Sequence, residues 1–207
     1  MRTTTARSKV LLMLCGLLLA ALVSSPSATA APAAASGRHH ETGLSGRTTV
    51  TTAPGIAGTL IKAGVLPLPA PGTRFAVRYD GGLVASYGFP ISGGNPDLAS
   101  GTGDILHSGG ISFVSFSTRL TLSNFDIDLA AGTVFATKVN GSPARVAVLD
   151  LDLAALNVAT AHHATVLSGI GLSLDPAAAG ALNSMFGLSL PTDGSLAFGT
   201  ATVSLRS

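Results

Sequence analysis

The 207-residue chain contains no tryptophan, and its one cysteine, Cys15, lies within the first thirty residues. Without that segment the chain cannot form a disulfide, so its folded state depends on a buried core. Charged residues make up 11% of the sequence and hydrophobic residues 46%, which excludes extensive disorder. The sequence therefore predicts a folded domain that is stabilised by packing.

The first thirty residues are organised as a secretory signal peptide. A basic start (Arg2, Arg7 and Lys9) precedes an unbroken apolar run over residues 10–23. Ala28-Thr29-Ala30 then gives the small-x-small pattern that is typical of cleavage sites. The run is shorter than the roughly twenty residues that a membrane helix needs. We therefore expect a secreted, extracellular protein without a membrane span.

The basic character of the chain also belongs to this segment. The whole sequence has a pI of about 9.0, but residues 31–207 hold nine cations against ten acidic residues. A nucleic-acid-binding surface needs a dense array of cations, so no nucleic-acid partner is predicted.

Composition divides the remaining chain into two parts. Residues 31–54 are rich in small residues, proline and glycine, and are predicted to form a flexible tail or linker. The pair His39-His40 lies there and is interpreted as solvated rather than metal-binding. Residues 55–207 are predicted to form a single β-rich domain.

A hairpin is predicted over residues 74–89. Apolar residues alternate with polar ones, and Asp80-Gly81-Gly82 supplies a short turn. Symmetry about Gly81 places seven apolar or aromatic side chains on one face: Phe75, Val77, Tyr79, Leu83, Ala85, Tyr87 and Phe89.

The same alternation continues to the end of the chain. Strands are predicted at residues 104–107, 111–115, 119–129, 133–139, 145–153, 166–174 and 196–205. Residues 56–68 are consistent with either one helical turn or a short strand. One short helix is predicted near residues 175–187, with Asp175 as its N-cap and Gly187 at its end. The predicted fold is all-β, an antiparallel β-sandwich or partly open barrel.

Candidate chemical groups are few. Asp126 and Asp128, like Asp150 and Asp152, share one face of a strand, where they could perform acid/base chemistry, bind calcium or simply face solvent. His162-His163 is expected in a loop. His107 precedes a tight turn, where it is either exposed to solvent or a ligand-binding residue. No nucleophile motif and no metal site is predicted.

Three segments resemble an HtaA-type (haem-transport-associated) domain of secreted bacterial proteins. They are residues 103–113 (GDILHSGGISF), 120–124 (LTLSN) and 132–136 (GTVFA). The resemblance implies a β-rich module and haem as a possible cofactor. In that family a tryptophan-led segment carries the tyrosine that binds iron, and neither Tyr79 nor Tyr87 lies in such a segment.

The two tyrosines keep two interpretations open. Both belong to the apolar face of the hairpin, where they either pack in the core or form a ligand-binding face, since a phenolate can bind ferric iron. The favoured function is a secreted, non-enzymatic binding or cell-surface module whose partner is unknown, without a required cofactor. The alternatives are binding of haem or another apolar ligand, and a cell-wall polysaccharide hydrolase that uses Asp150 or Asp152.

Overall fold

The computed structural model describes residues 44–162 and 164–206. The predicted signal peptide, residues 31–43 of the predicted linker, the pair His39-His40 and His163 lie outside the described residues. The described part contains strands β1 Ser45–Thr52, β2 Leu66–Pro69, β3 Arg74–Tyr79, β4 Leu83–Gly94, β5 Asp104–His107, β6 Gly110–Val114, β7 Arg119–Asp128, β8 Thr133–Val139, β9 Ser142–Asp152, β10 Asn157–Ala161, β11 Ala164–Leu174 and β12 Ala197–Arg206, and helices α1 Ile56–Lys62 and α2 Pro176–Phe186.

Eight of the strands form a closed antiparallel barrel. Their order is β7-β5-β4-β1-β12-β11-β9-β8, and β8 pairs back onto β7. The all-β, antiparallel prediction is confirmed, whereas a sandwich or a partly open barrel is not observed because the ring is complete. The closing pair joins consecutive strands, as do β4–β5, β8–β9 and β11–β12, whereas β1 pairs with β12 at the far end of the sequence.

Four strands lie outside the ring, and three of them (β3, β6 and β10) pair with ring strands. β4 pairs with β3 over its first half and with β5 near its end. In the same way β7 pairs with β6 and then β5, and β11 pairs with β10 and then β9. β2 pairs with β6. Each of β4, β7 and β11 therefore pairs with an outside strand along one part of its length and with the next ring strand along another.

The predicted β3–β4 hairpin has the expected register. Tyr79 pairs with Leu83, Val77 with Ala85 and Phe75 with Tyr87, around Gly81, whose φ of 65° suits glycine. Burial is unequal along the predicted apolar face, because β4 belongs to the barrel and β3 does not. All of β3 is exposed, whereas Ala85, Tyr87 and Phe89 are buried.

β1 corrects the predicted boundary between linker and domain. The linker was predicted to extend to residue 54, and this is wrong for Ser45–Thr52, which pair with β12 over their whole length and with β4 at residues 47–51. Thr48, Val50 and Thr52 face inward and are buried. The β-branched side chain of threonine favours strands. Threonine is also common in linkers, so its alternation in this segment did not distinguish a strand from a linker.

The described residues form two helices; one was predicted, and the other was left as an alternative to a short strand. α2 is the predicted helix: the Asp175 carboxylate accepts hydrogen bonds from the N–H groups of Ala177 (2.8 Å) and Ala178 (3.0 Å), and Gly187 ends it in the left-handed conformation. α1 resolves the ambiguous segment at residues 56–68 into a helix followed by β2. Among the described residues, neither helix has the length and hydropathy that crossing a membrane requires.

Both helices lie at the same end of the barrel. α1 follows the end of β1, α2 links the end of β11 to the start of β12, and these strand ends are adjacent, with Thr52 opposite Gly199 and Ser173 opposite Ala197. We call this the helix end. We call the opposite end the loop end. There Asp128 pairs with Asp104 and with Thr133. The connections 95–103, 129–132 and 153–156 lie there.

Candidate ligand cavity

The barrel encloses a cavity of about 670 Å³. Side chains that alternate inward along the strands form its wall, among them Phe89, Ile105, Phe125, Leu172 and Val203. Cavities that bind small molecules commonly measure about 300–1,000 Å³ and are mostly apolar. The volume and the chemistry of this wall are therefore those of a ligand-binding cavity.

Helix α2 packs over the cavity at the helix end. Its N-cap connects it directly to the barrel, because the N–H of Asp175 donates to the carbonyl of Val148 on β9 at 3.0 Å. Ala178 and Leu182, one turn apart, both line the cavity, and Leu182 is 6% exposed. The small alanine side chains let the helix approach the strands while the leucine fills the space between them.

Three leucines border both the cavity and solvent at the loop end. Leu98, Leu153 and Leu156 line the cavity, and yet they are 39–40% exposed. They lie in the connections after β4 and β9, which meet at this end of the barrel. Val146 on β9 and Met185 on α2 also line the cavity and are exposed to solvent. The cavity therefore approaches the surface at apolar rims.

One buried polar pair interrupts the apolar wall. Nε2 of His107 lies 2.6 Å from Oγ1 of Thr48, and Nδ1 lies 3.2 Å from the carbonyl oxygen of Phe125. Both side chains line the cavity and are no more than 3% exposed. A carbonyl oxygen only accepts, so Nδ1 must carry the proton and Nε2 must accept from the Thr48 hydroxyl.

His107 is uncharged at neutral pH. Burial lowers its pKa from 6.5 to about 4, because an imidazolium would lose its hydration inside the barrel; hydrogen bonding to the backbone of Phe125 and Ile105 opposes this effect only in part. The prediction of a solvent-exposed turn residue is wrong, since His107 is the last residue of β5 and points inward. Of the three side chains predicted to bind a ligand, His107 alone lines the cavity.

Neither tyrosine lines the cavity, and the two lie on different strands. Tyr79 is 80% exposed on β3. Tyr87 is buried, packs against Phe75 with ring centres 5.0 Å apart, and donates its hydroxyl to the carbonyl of Pro67 at 2.8 Å. Burial raises the pKa of Tyr87 from 10.0 to about 12. Its oxygen is thus a hydrogen-bond donor that fixes β2 against the barrel.

The acidic pairs lie on the outside of the barrel. One interpretation expected Asp126 to face solvent, but it is 8% exposed. Arg145 covers it and contacts both Asp126 (3.2 Å) and Asp128 (3.1 Å). Burial is the main cause that raises the pKa of Asp126, against the opposing effect of Arg145.

The second acidic pair is more open. Asp150 is half-buried and Asp152 is exposed, and the carboxylate of Asp152 accepts from the N–H of Ala154 at 2.9 Å, which shapes the turn after β9. Neither carboxylate lines the cavity. His162 lies in the turn between β10 and β11. Within the described residues, no three His, Cys, Asp or Glu side chains are grouped to hold a metal ion.

Sequence reasoning missed Thr48 and the rim leucines. Thr48 lay inside the predicted linker, and its only signal was the inward alternation with Val50 and Thr52. Leu98 and Leu156 carried a signal of another kind, since large apolar residues in loops require an explanation, whereas Leu153 lay at the end of the predicted strand 145–153. The common position of these three leucines at the loop end depends on closure of the ring.

The fold and the site define a small closed antiparallel β-barrel with an apolar internal cavity. No family model and no curated protein matches the sequence. Among solved structures, the chain is similar to the crystal structure of the C-terminal domain of HtaA from Corynebacterium glutamicum, with 17% identity, a TM-score of 0.48, and coverage of 79% of this chain and 98% of that one.

Proposed function

We propose that this protein is a non-enzymatic binding protein that holds an apolar small molecule inside its barrel. The cavity of about 670 Å³ is the observation that carries the proposal. The signal-peptide pattern of residues 1–30 supports an extracellular place of action.

The size of the cavity supports an occupant. A ligand that fills the barrel would bury its own apolar surface against the wall, and binding to the folded state alone would raise the stability of the protein.

The direct test uses the fluorescent apolar probe N-phenyl-1-naphthylamine. We expect its fluorescence to rise on addition to the purified protein, and the melting temperature to rise with it. The Ala178→Phe variant places a ring at a cavity-lining position of α2 and is expected to weaken probe binding several-fold. Ala76→Phe, on exposed β3, adds the same ring away from the cavity and serves as the matched control.

Circular dichroism of both variants separates loss of binding from loss of folding. Equal probe binding by the wild type and a folded Ala178→Phe variant would place the probe outside the barrel. Absence of any binding to the wild type would also contradict the proposal.

Two observations argue against haem, which the sequence left open as an alternative. Tyr79 and Tyr87 do not line the cavity, and the Tyr87 hydroxyl is engaged with Pro67. In the cavity, Nε2 of His107 is already occupied by the hydroxyl of Thr48 at 2.6 Å. We therefore expect hemin to show an unchanged Soret band on addition of the protein. A shifted band that disappears in the His107→Gln variant would support haem instead.

A further inference from the structure

We propose that the ligand is an uncharged lipid that ends in a hydroxyl group, and that this hydroxyl donates a hydrogen bond to Oγ1 of Thr48. This inference rests on the proposed function, and it names the chemical class of the molecule in the barrel. It follows from which polar atoms line the cavity and from the direction in which their hydrogen bonds run.

The polar atoms of the cavity are concentrated at one buried point. Among the described lining residues, four have side chains with hydrogen-bonding atoms: Thr48, Thr59, His107 and Ser189. Thr59 and Ser189 are exposed, whereas Thr48 and His107 are 2% and 3% exposed. A ligand inside the barrel thus meets a single polar pair in an otherwise apolar wall.

The hydrogen bonds at this pair run in one direction. The carbonyl of Phe125 requires a proton on Nδ1 of His107, which leaves Nε2 as an acceptor for the hydroxyl of Thr48. The opposite tautomer would set the lone pair of Nδ1 against the carbonyl oxygen. The hydroxyl proton of Thr48 is therefore committed to His107, and its oxygen retains lone pairs with which to accept.

A matching ligand group must donate a hydrogen bond and carry no charge. An ester or ketone only accepts, so it has no proton to offer to Thr48. A carboxylate or an ammonium would be buried without an opposite charge, because no Asp, Glu, Lys or Arg is among the described lining residues and His107 is neutral. A long-chain alcohol meets both requirements.

Three ligands of equal chain length test this class. We would displace N-phenyl-1-naphthylamine at pH 7.5 with 1-tetradecanol, methyl tetradecanoate and tetradecanoate. One net hydrogen bond changes an affinity by up to about tenfold. We expect the alcohol to bind up to tenfold more tightly than the ester, and tetradecanoate to bind more weakly than both.

Substitution of Thr48 locates the selectivity. Thr48→Val alone would leave Nε2 of His107 free to accept from the ligand. The double variant Thr48→Val/His107→Leu removes both polar groups, so the alcohol and the ester should bind equally while the probe still binds. Thr48→Ser retains the hydroxyl and should retain the preference. Thr49→Val, on the same strand but outside the cavity lining, is the matched control and should leave the preference unchanged.

The two proposals fail in different ways. Equal binding of the alcohol, ester and carboxylate by the wild type would overturn the hydroxyl inference, as would a preference that survives in the double variant Thr48→Val/His107→Leu. Both results leave the probe in the barrel and the proposed function intact. Failure of the wild type to bind the probe contradicts the proposed function itself. If the double variant does not fold, the wild-type series still decides the question.

Discussion

Arg145 and Asp126 lie on strands that are not neighbours in the barrel, yet Nη2 of Arg145 lies 3.2 Å from Oδ2 of Asp126. The Arg145 side chain extends from β9 across β8, where its guanidinium carbon lies 3.5 Å from the centre of the Phe135 ring, and it ends on β7. The contact joins three consecutive strands at the point where the ring closes. It also covers an aspartate that would otherwise face solvent.

Replacing Arg145 by methionine is expected to lower the free energy of unfolding by about 2 kcal/mol, because the Asp126 carboxylate loses its partner while it is still partly covered. Burial raises the pKa of Asp126, so the folded state retains its proton to higher pH than the unfolded state does. The deficit should therefore be largest at neutral pH and should shrink as the pH falls through the pKa of Asp126. Urea unfolding at several pH values measures it.

The control for this variant is Arg78→Met. Arg78 and Asp80 form an ion pair at 3.4 Å, but both side chains are more than 60% exposed. Exposed pairs contribute little, so we expect a change below about 1 kcal/mol. Equal losses in the two variants would show that burial of Asp126 has no part in the effect.

His107 should make the protein less stable at acidic pH. Its pKa is about 4 in the folded protein and 6.5 in the unfolded chain, so only the unfolded chain binds a proton between these values. Stability should fall as the pH is lowered from 6.5 to 4, by roughly 3 kcal/mol for a shift of this size. His107→Gln should lack this part of the pH dependence, and His162→Gln, in an exposed turn, should keep it.

Tyr87→Phe is expected to cost about 1 kcal/mol of unfolding free energy, because the buried carbonyl of Pro67 loses its donor. The pKa of Tyr87 is raised to about 12, so the wild type should also lose stability as the pH rises from 10 to 12, when only the unfolded chain gives up this proton. The variant should not show this loss. Tyr79→Phe, at an 80% exposed position, should change the unfolding free energy by less than about 0.5 kcal/mol.

Asp175→Ala should lower the free energy of unfolding by about 1 kcal/mol, since two N–H groups at the start of α2 lose their acceptor. Asp175→Asn keeps an oxygen at the cap and should recover most of the loss. Thermal unfolding followed by circular dichroism compares the three proteins. A larger loss in the asparagine variant than in the alanine variant would contradict a capping role.

Local patterns predicted the local structure well. The hairpin register around Gly81 and the caps of α2 at Asp175 and Gly187 depend on residues close in sequence, and both agree with the structure. β1 escaped prediction because its strand pattern consists largely of threonine. Composition is a weak guide when one residue type suits both a linker and a strand.

The candidate site could not be assembled from local patterns. His107 lies next to a tight turn, which suggested exposure, but its burial follows from Thr48 on β1 and Phe125 on β7. These three residues meet only after the ring has closed. The cavity has the same origin, since alternation predicts which side chains face inward but not how much space they enclose.

The pairing of β1 with β12 has a consequence for the order in which the molecule folds. Ser45 lies opposite Arg206 and Thr52 opposite Gly199, so the first described strand is held by the last. Pairings between such distant residues form slowly, because a long loop must close before any contact compensates for it. Among the described strands, β1 is synthesised first, but it obtains both of its partners last. Its second partner, β12, exists only when synthesis has reached residue 206. Until then the cavity has a missing wall, and no ligand can be enclosed.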